Sequence, residues 1–336
     1  MPLRISVLGD GAWGTALAIL LATKPDQDVT LWSARPENGR RLRELRENTA
    51  FLPGVPIPPA VQLTCECPLA FATPDLLVCA IPTVYLRRTL EGSPALAPTV
   101  PVLSLSKGLE VDTFQRPTEI LGELLGSKRL AVLSGPSHAE EVSRGLPASV
   151  VVASPDQALA QWIQQIFSTE RFRVYTNSDM VGVETAGALK NILGLAAGIC
   201  DGLGLGDNAK AALLTRGLVE MARFGVVAGG AYQTYFGLAG LGDVITTCFS
   251  KFGRNRLVGE RLGRGEKAAA ILASMSMVAE GVYTTRSVHD KARRLNLTMP
   301  ITVEVYRVLY EDKDPRKAVR DLMERELTSE WAAAEG

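Results

Sequence analysis

The stretch Leu3-Arg4-Ile5-Ser6-Val7-Leu8-Gly9-Asp10-Gly11-Ala12-Trp13-Gly14 decides how the first half of this chain should fold. Its apolar beginning predicts a short strand, and Trp13–Thr23 predicts the helix that follows. In the G-x-G-x-x-G spacing, Gly9 permits a tight turn, Gly11 lets phosphates approach the backbone, and Gly14 lets helix and strand pack closely. Free N–H groups at the start of the helix would face the anion. The sequence therefore predicts a dinucleotide site, the alternative being an ordinary tight strand–helix turn.

Apolar runs recur through the first half of the chain, several of them without a polar interruption. This pattern is typical of strands buried on both faces of a largely parallel sheet. The proline-rich stretch Pro53–Pro59 is expected to be a loop, and strand patterns stop after about Asp179. We therefore expect a doubly wound α/β domain of the Rossmann type over residues 1–179, followed by an all-α helical domain over residues 180–336. The expected strands are Ile5–Leu8, Val29–Trp32, Leu76–Ile81, Val102–Leu105, Ala131–Leu133, Val150–Ala153 and Phe172–Thr176.

The composition bounds the class of protein and its partners. The 336 residues suffice for two hydrophobic cores, and 46% hydrophobic with 21% charged residues is typical of a soluble globular protein. A net charge of zero provides no extended positive surface for nucleic acid or for an anionic membrane. The longest uncharged stretch, Phe224–Gly242, is too rich in glycine for a membrane span and is expected to be a packed or an active-site loop. The five cysteines form no disulfide framework or metal-ligand pattern, so we expect no bound metal, no signal peptide and a cytoplasmic location.

The residues after the second predicted strand bear on the choice of cofactor. A site for NAD often places an acidic side chain here to bind the ribose 2′-hydroxyl, but the first carboxylate in this chain is Glu37. Ser33 and Arg35, which precede it, suit the 2′-phosphate of NADP better. Arg35 is also explained as an ordinary surface arginine. The sequence therefore favours NADPH as the cofactor without excluding NADH.

A second segment places a lysine among glycines. At helical spacing, one face carries Gly187, Lys190, Asn191, Gly194 and Gly198. A glycine in a helix interior costs roughly 1 kcal/mol, so something should approach this face closely. One explanation is tight packing against another helix. The other is a substrate lying on the helix, with Lys190 at its reacting oxygen and Asn191 donating a hydrogen bond beside it.

Further polar residues occur in loops of both halves. Asp243, in a glycine-rich loop, is suited either to cap a helix or to stabilise a protonated lysine. Arg254 offers a planar fork for a phosphate, and Asn255 a neutral donor. Lys107 follows a predicted strand, and residues past the carboxyl ends of parallel strands border the ligand crevice. His138 is interpreted as structural, because a single histidine after a turn is rarely catalytic.

These motifs together resemble the bacterial NAD(P)-dependent glycerol-3-phosphate dehydrogenases across essentially the whole chain. The resemblance implies reversible reduction of dihydroxyacetone phosphate to sn-glycerol 3-phosphate by NADPH or NADH, which supplies glycerophospholipid synthesis. The glycine-rich segment Phe224–Gly242 is compatible with a subunit contact in a homodimer. The matching stretches are Gly9–Leu17, Phe51–Pro53, Ser106–Glu110, Ser134–Ser137, Gly187–Asn191, Gly240–Asp243, Arg254–Arg256 and Val278–Gly281.

The resemblance also implies a role for each matching position. Lys190 would be the proton donor and acceptor, with Lys107 and Asp243 beside it. The chain departs from the frequent family residue at Ala12, Ser137 and Gly253, and we expect altered affinity there rather than lost function. Residues 33–35 also differ from the basic pair usual in the family, so the resemblance does not decide the cofactor preference. The cofactor would contact Gly9, Gly11, Ala12, Trp13, Gly14, Arg35, Lys107, Ala139, Arg254, Val278 and Glu280. The substrate would contact Lys107, Gly135, Ser137, Lys190, Asn191, Asp243, Thr247, Gly253, Arg254 and Asn255.

The residue types suggest how such a site would transfer a proton. A free lysine has a pKa of about 10.4, so Lys190 is expected to be protonated at neutral pH and to favour reduction of the ketone. Burial and Lys107 would lower that pKa, whereas Asp243 would raise it. The nearest alternative enzymes are 3-hydroxyacid and 6-phosphogluconate dehydrogenases. A cofactor-binding regulator without catalysis is the alternative from another class, although Lys190 and the glycine loop are both intact.

Overall fold

A computed structural model describes residues 1–275 and 277–330. Their first half builds an eight-stranded sheet and a separate two-stranded one. The strands are β1 (Leu3–Leu8), β2 (Gln27–Trp32), β3 (Glu47–Asn48), β4 (Leu52–Pro56), β5 (Val61–Thr64), β6 (Leu76–Cys79), β7 (Val102–Ser104), β8 (Leu130–Ser134), β9 (Ala148–Ala153) and β10 (Phe172–Asn177).

The large sheet has the order β10-β9-β8-β7-β6-β1-β2-β5, and β1 pairs in parallel with both β2 and β6. The chain leaves β1 for β2 on one side and returns to β6 on the other. This reversal opens a crevice at the carboxyl ends of the strands, where doubly wound folds bind ligands. Because β9 pairs antiparallel with β8, β9 and β10 run opposite to the other strands, so the sheet is largely but not wholly parallel.

Helices cover the sheet and then make up the second half of the described chain. A 3₁₀ turn at Tyr232–Phe236 and a π-helical turn at Leu238–Gly242 interrupt them. The α-helices are α1 (Ala12–Leu21), α2 (Pro36–Leu45), α3 (Cys67–Phe71), α4 (Thr83–Leu90), α5 (Pro117–Leu125), α6 (Ala139–Val142), α7 (Gln157–Phe167), α8 (Met180–Leu203), α9 (Gly206–Val227), α10 (Asp243–Phe249), α11 (Arg254–Gly263), α12 (Ala268–Ala273), α13 (Glu280–Arg294), α14 (Pro300–Tyr310) and α15 (Pro315–Met323).

Alternate residues of the buried strands face two different hydrophobic clusters. In β6, Leu76 and Val78 lie in one cluster with Leu17, while Leu77 and Cys79 lie in the other with Leu121. This double burial explains why strands such as β6 are apolar without interruption. The Rossmann-type α/β fold followed by helices, expected from the sequence, is confirmed. The exact domain boundary at residues 179 and 180 stays a prediction.

The 24-residue helix α8 forms the centre of the helical half and is buried from Gly182 to Cys200. A Cβ added to Gly198 would lie 2.0 Å from the carbonyl oxygen of Arg256, and one added to Gly259 would lie 2.0 Å from that of Leu195. Glycines on both helices therefore let the backbones of α8 and α11 approach closely. At Gly198 tight helix packing, and not a substrate, accounts for the glycine.

Two expectations for loops were wrong. Part of Pro53–Pro59 belongs to β4, which pairs antiparallel with β3 at the register Asn48 to Leu52. The stretch Phe224–Gly242 contains the end of α9 and the 3₁₀ and π-helical turns, because its small residues can pack closely without disrupting helical hydrogen bonds. Within residues 1–275 and 277–330, no helix is long and apolar enough to cross a membrane.

Candidate active site

The glycine loop between β1 and α1 has the shape that a dinucleotide pyrophosphate requires. Gly9 has a φ of +106°, and a Cβ added to Gly14 would lie 2.0 Å from the carbonyl oxygen of Gly9. A Cβ added to Gly11 would meet no described atom within 4 Å, so that position faces open space. No described side chain caps the first turn of α1, which leaves its N–H groups available to an anion. The residues present therefore fit a dinucleotide cofactor.

Two lysines share one carboxylate at the carboxyl edge of the sheet. The Nζ of Lys190, on α8, lies 2.5 Å from the Oδ1 of Asp243, and the Nζ of Lys107 lies 2.7 Å from its Oδ2. Lys107 follows β7 and also donates to the carbonyl oxygen of Gly135 at 3.3 Å. Asp243 is the first residue of α10, and its carboxylate binds the two lysines rather than capping a helix. The side chains are 8%, 3% and 18% exposed for Lys190, Asp243 and Lys107 respectively.

Burial governs the protonation of this cluster. It lowers the pKa of Lys190 well below its ordinary value of 10.5, the positive charge of Lys107 lowers it further, and Asp243 opposes both effects. The two ammonium groups hold the pKa of Asp243 below its usual range despite its burial. Because the pKa of Lys190 is lowered, this amine is suited both to donate and to accept a proton near neutral pH, which modifies the expectation that reduction alone is favoured.

A chain of amides connects three elements behind the lysines. The Nδ2 of Asn191 donates to the carbonyl oxygen of Lys107 at 3.2 Å, and its Oδ1 accepts from the Nδ2 of Asn255 at 2.9 Å. The Oδ1 of Asn255 then accepts from the backbone N–H of Gly281 at 3.0 Å. Each amide keeps one side-chain N–H for another partner. The two asparagines thus hold Lys190 and Arg254, their neighbours in sequence, at a fixed spacing.

Residues of the helical half border the glycine loop. The Nη1 of Arg254 donates to the carbonyl oxygen of Val278 at 3.1 Å, which leaves most of its guanidinium donors free for an anion. The Oε1 of Glu280 accepts from the backbone N–H of Thr83 at 2.8 Å and so joins α13 to the start of α4. Burial raises the pKa of this carboxyl.

Two adjoining cavities contain nearly all the residues predicted for the site. A cavity of about 160 Å³ surrounds Lys190, and one of about 570 Å³ follows the glycine loop. Both are lined by Ala12, Arg254 and Val278, so together they form one cleft. Gly14 and Gly135 lie behind the surface of the cleft. Gly14 packs against the carbonyl oxygen of Gly9, and the carbonyl oxygen of Gly135 accepts a hydrogen bond from Lys107. The first cavity is also lined by Trp13, Lys107, Ser137, Ala139, Asn191, Asp243, Thr247, Gly253, Asn255 and Glu280, and the second by Gly9, Gly11 and Arg35.

Several residues of the cleft were not predicted from the sequence. Tyr85 and Arg88 line the larger cavity, with the guanidinium 4.4 Å from the ring centroid. Their spacing of three residues just after the buried strand β6 was a signal that could have found them. Phe252 lines the smaller cavity, and the centroid of its ring lies 5.8 Å from that of His138. Within the part of the chain that the structure describes, no group of His, Cys, Asp and Glu side chains could hold a metal ion.

The chain matches two models of one enzyme family, which together span most of its length. Residues 4–160 match the N-terminal part of NAD-dependent glycerol-3-phosphate dehydrogenase, and residues 179–320 match its C-terminal part. The chain belongs to the NAD-dependent glycerol-3-phosphate dehydrogenase family. This confirms the resemblance inferred from the sequence and makes the protein an NAD(P)-dependent oxidoreductase.

Similar members of the family occur in several bacteria. The glycerol-3-phosphate dehydrogenase (NAD(P)+) of Geobacter sulfurreducens is 48% identical over 331 residues, which cover 97% of this chain and 98% of that protein. The protein of the same name from Moorella thermoacetica is 48% identical over 330 residues, covering 97% of each chain. The crystal structure of glycerol-3-phosphate dehydrogenase from Coxiella burnetii has a TM-score of 0.92 at 38% identity, covering 96% of this chain and 99% of that one.

Proposed function

We propose that this member of the family reduces dihydroxyacetone phosphate to sn-glycerol 3-phosphate, reversibly, with Lys190 as the proton donor. The observation that carries the proposal is the sharing of Asp243 by Lys190 and Lys107 in a cleft that continues to the glycine loop. Such a cluster holds an ammonium group where an alkoxide would develop, and it can lose one proton without burying an unpaired charge. The product would supply glycerophospholipid synthesis.

The chain's own residues divide the work of the reaction. A reduced nicotinamide, when bound, supplies the hydride to the carbonyl carbon. Lys190 gives its proton to the oxygen of that carbonyl, while Asp243 keeps the amine oriented and Lys107 provides a second positive charge. In the reverse direction the neutral amine of Lys190 takes the hydroxyl proton, which its lowered pKa permits.

Recognition of the phosphate falls to the start of α11. Arg254 has free guanidinium donors and Asn255 retains one amide N–H, and both line the cavity that holds Lys190. Thr247 lines the same cavity and can donate a hydroxyl hydrogen bond to the substrate. The hydroxyl of Ser137 donates to the carbonyl oxygen of Gly135 at 2.9 Å, so its oxygen faces the cavity as an acceptor.

The division of the chain at residues 179 and 180 is part of the proposal. It is supported by the side chain of Asp179, which accepts from the backbone N–H of Gly182 and so caps α8 just after the sheet ends.

We further propose a homodimer, supported by exposed apolar side chains at Tyr232, Phe236 and Ile245 near the glycine-rich segment. The cytoplasmic location stays a prediction from the sequence.

A spectrophotometric assay tests the activity. Purified protein with NADPH or NADH should consume the reduced cofactor when dihydroxyacetone phosphate is added. No turnover should occur with a 3-ketoacid and the reduced cofactor, or with a phosphorylated six-carbon hydroxyacid and the oxidised cofactor. Turnover of those substrates in place of dihydroxyacetone phosphate would support the related dehydrogenases instead. Cofactor binding without turnover of any of them would support a regulator.

A further inference from the structure

A half-buried carboxylate in the glycine loop contacts the end of the second strand. The Oδ2 of Asp10 accepts a 2.7 Å hydrogen bond from the hydroxyl of Ser33, which is 1% exposed and directly follows β2. Asp10 lines the larger cavity together with Arg35 and Asn38. In doubly wound folds the end of this strand lies beside the ribose of the adenosine half of the cofactor. An acidic group would therefore stand near the ribose of a bound cofactor, although it comes from the loop and not from the strand.

We propose that Asp10 makes the cleft discriminate against the 2′-phosphate of NADPH, so that NADH is the preferred cofactor. The inference rests on the proposed dinucleotide site and adds the choice between the two cofactors. It reverses the preference for NADPH that Ser33 and Arg35 suggested in the sequence.

The hydroxyl of Ser33 is not available to a phosphate. It has a single hydrogen, and its short contact with a carboxylate, which can only accept, directs that hydrogen to Asp10. Its oxygen also lies 3.0 Å from the carbonyl oxygen of Arg35, a second acceptor. A phosphate oxygen at this position would therefore find lone pairs instead of a donor.

The charges in the larger cavity lead to the same conclusion. Arg35 and Arg88 supply positive charges here, since Arg254 is assigned to the substrate phosphate, and Asp10 supplies a negative one beside Arg35. The one remaining positive charge is already matched by a pyrophosphate, which carries two negative charges. A 2′-phosphate would add about one and a half to two more, close to the carboxylate. A ribose 2′-hydroxyl instead gives Asp10 a donor, which a carboxylate accepts well.

Equilibrium binding of each cofactor to the protein without substrate tests the inference. Isothermal titration calorimetry with NADH and with NADPH would be run on the wild type, on Asp10→Asn and on Asp26→Asn. Asp26→Asn is the matched control, because it removes one carboxylate from an exposed position at the opposite end of β2. Removal of the charge at Asp10 should raise the NADPH affinity relative to NADH by about tenfold or more. The control should leave the ratio of the two affinities within about twofold of the wild type.

The outcomes separate this inference from the proposed function. A wild type that binds NADPH more tightly than NADH overturns it, as does an Asp10→Asn variant whose affinity ratio is unchanged. If Asp10→Asn does not fold, Asp10→Ser provides the same loss of charge and the same expected shift. A wild type that binds neither cofactor contradicts the proposed dinucleotide site itself.

Discussion

Asn191 and Asn255 join the two central helices of the site through a hydrogen bond of 2.9 Å between their side-chain amides. Asn191 follows the lysine proposed to transfer the proton, and Asn255 follows the arginine proposed to hold the phosphate. The distance between the two ends of the substrate is therefore set by contacts that exist before it binds. Such preorganisation reduces the entropy lost on reaching the reactive geometry.

Replacing Lys190 by methionine should abolish most of the turnover while cofactor binding is retained. Methionine fills a similar volume, and Asp243 keeps Lys107 as a partner at 2.7 Å, so the fold should survive. We expect kcat to fall by about 10²- to 10⁴-fold, the usual contribution of a positioned proton donor. Steady-state kinetics with a parallel measurement of the cofactor Kd would check this. Lys267→Met, at an exposed position, is the control; wild-type turnover in Lys190→Met would exclude the proposed role.

The pH dependence of the two reaction directions should be opposite. Reduction needs protonated Lys190, so its kcat/KM should fall as the pH rises through the pKa of this group. Oxidation needs the neutral amine and should rise through the same pKa. Because burial lowers that pKa, the midpoint should lie clearly below 10.5. Asp243 raises the pKa, so Asp243→Asn should move the midpoint to lower pH; a shift to higher pH would contradict the proposed electrostatics.

Replacing Arg254 by alanine should affect the phosphorylated substrate selectively. Loss of a charge-assisted hydrogen bond costs about 1.5–3 kcal/mol, which corresponds to roughly a tenfold to hundredfold loss of kcat/KM. Unphosphorylated dihydroxyacetone should lose little, and comparison of the two substrates checks this. Because Arg254 also borders the larger cavity, the Kd of the cofactor is measured in parallel. Arg264→Ala, on an exposed side chain just after the same helix, is the control. An equal loss for both substrates would remove the phosphate role.

Seven of the eight strands of the large sheet could be predicted from the sequence, because most of them bury both faces. In β6, Leu76 and Leu77 enter different hydrophobic clusters, and this leaves an uninterrupted apolar run that is easy to recognise. The edge strand β5 was not predicted, because Gln62 in it is exposed and breaks the apolar pattern. The short strand β4 escaped prediction because Pro53 and Pro56 are typical of loops. A two-stranded sheet with one irregular register tolerates both of them.

The candidate site was predictable where one residue type limits the chemistry. Lys190 and Asp243 are polar residues in apolar or glycine-rich segments, so their burial had to serve a purpose. The contact between Asp10 and Ser33 was not predictable, because it joins residues 23 positions apart and depends on how the loop lies against β2. The packing of the glycines of α8 was not predictable either, because the sequence does not show which neighbouring element approaches them.

Replacing Gly198 by alanine distinguishes the two explanations for the glycines of α8. Alanine in place of glycine within a helix normally stabilises it by up to about 1 kcal/mol, and an open face lined by substrate would allow that gain. Here the new Cβ would lie 2.0 Å from the carbonyl oxygen of Arg256, so the helices would have to separate. We expect a loss of about 1–3 kcal/mol in the free energy of unfolding, measured by urea denaturation. Gly237→Ala, where the nearest atom is 3.4 Å away, should change stability little. If Gly198→Ala were as stable as the wild type or more stable, and its KM for the substrate were raised, the glycine would instead be explained by a substrate lying on this face.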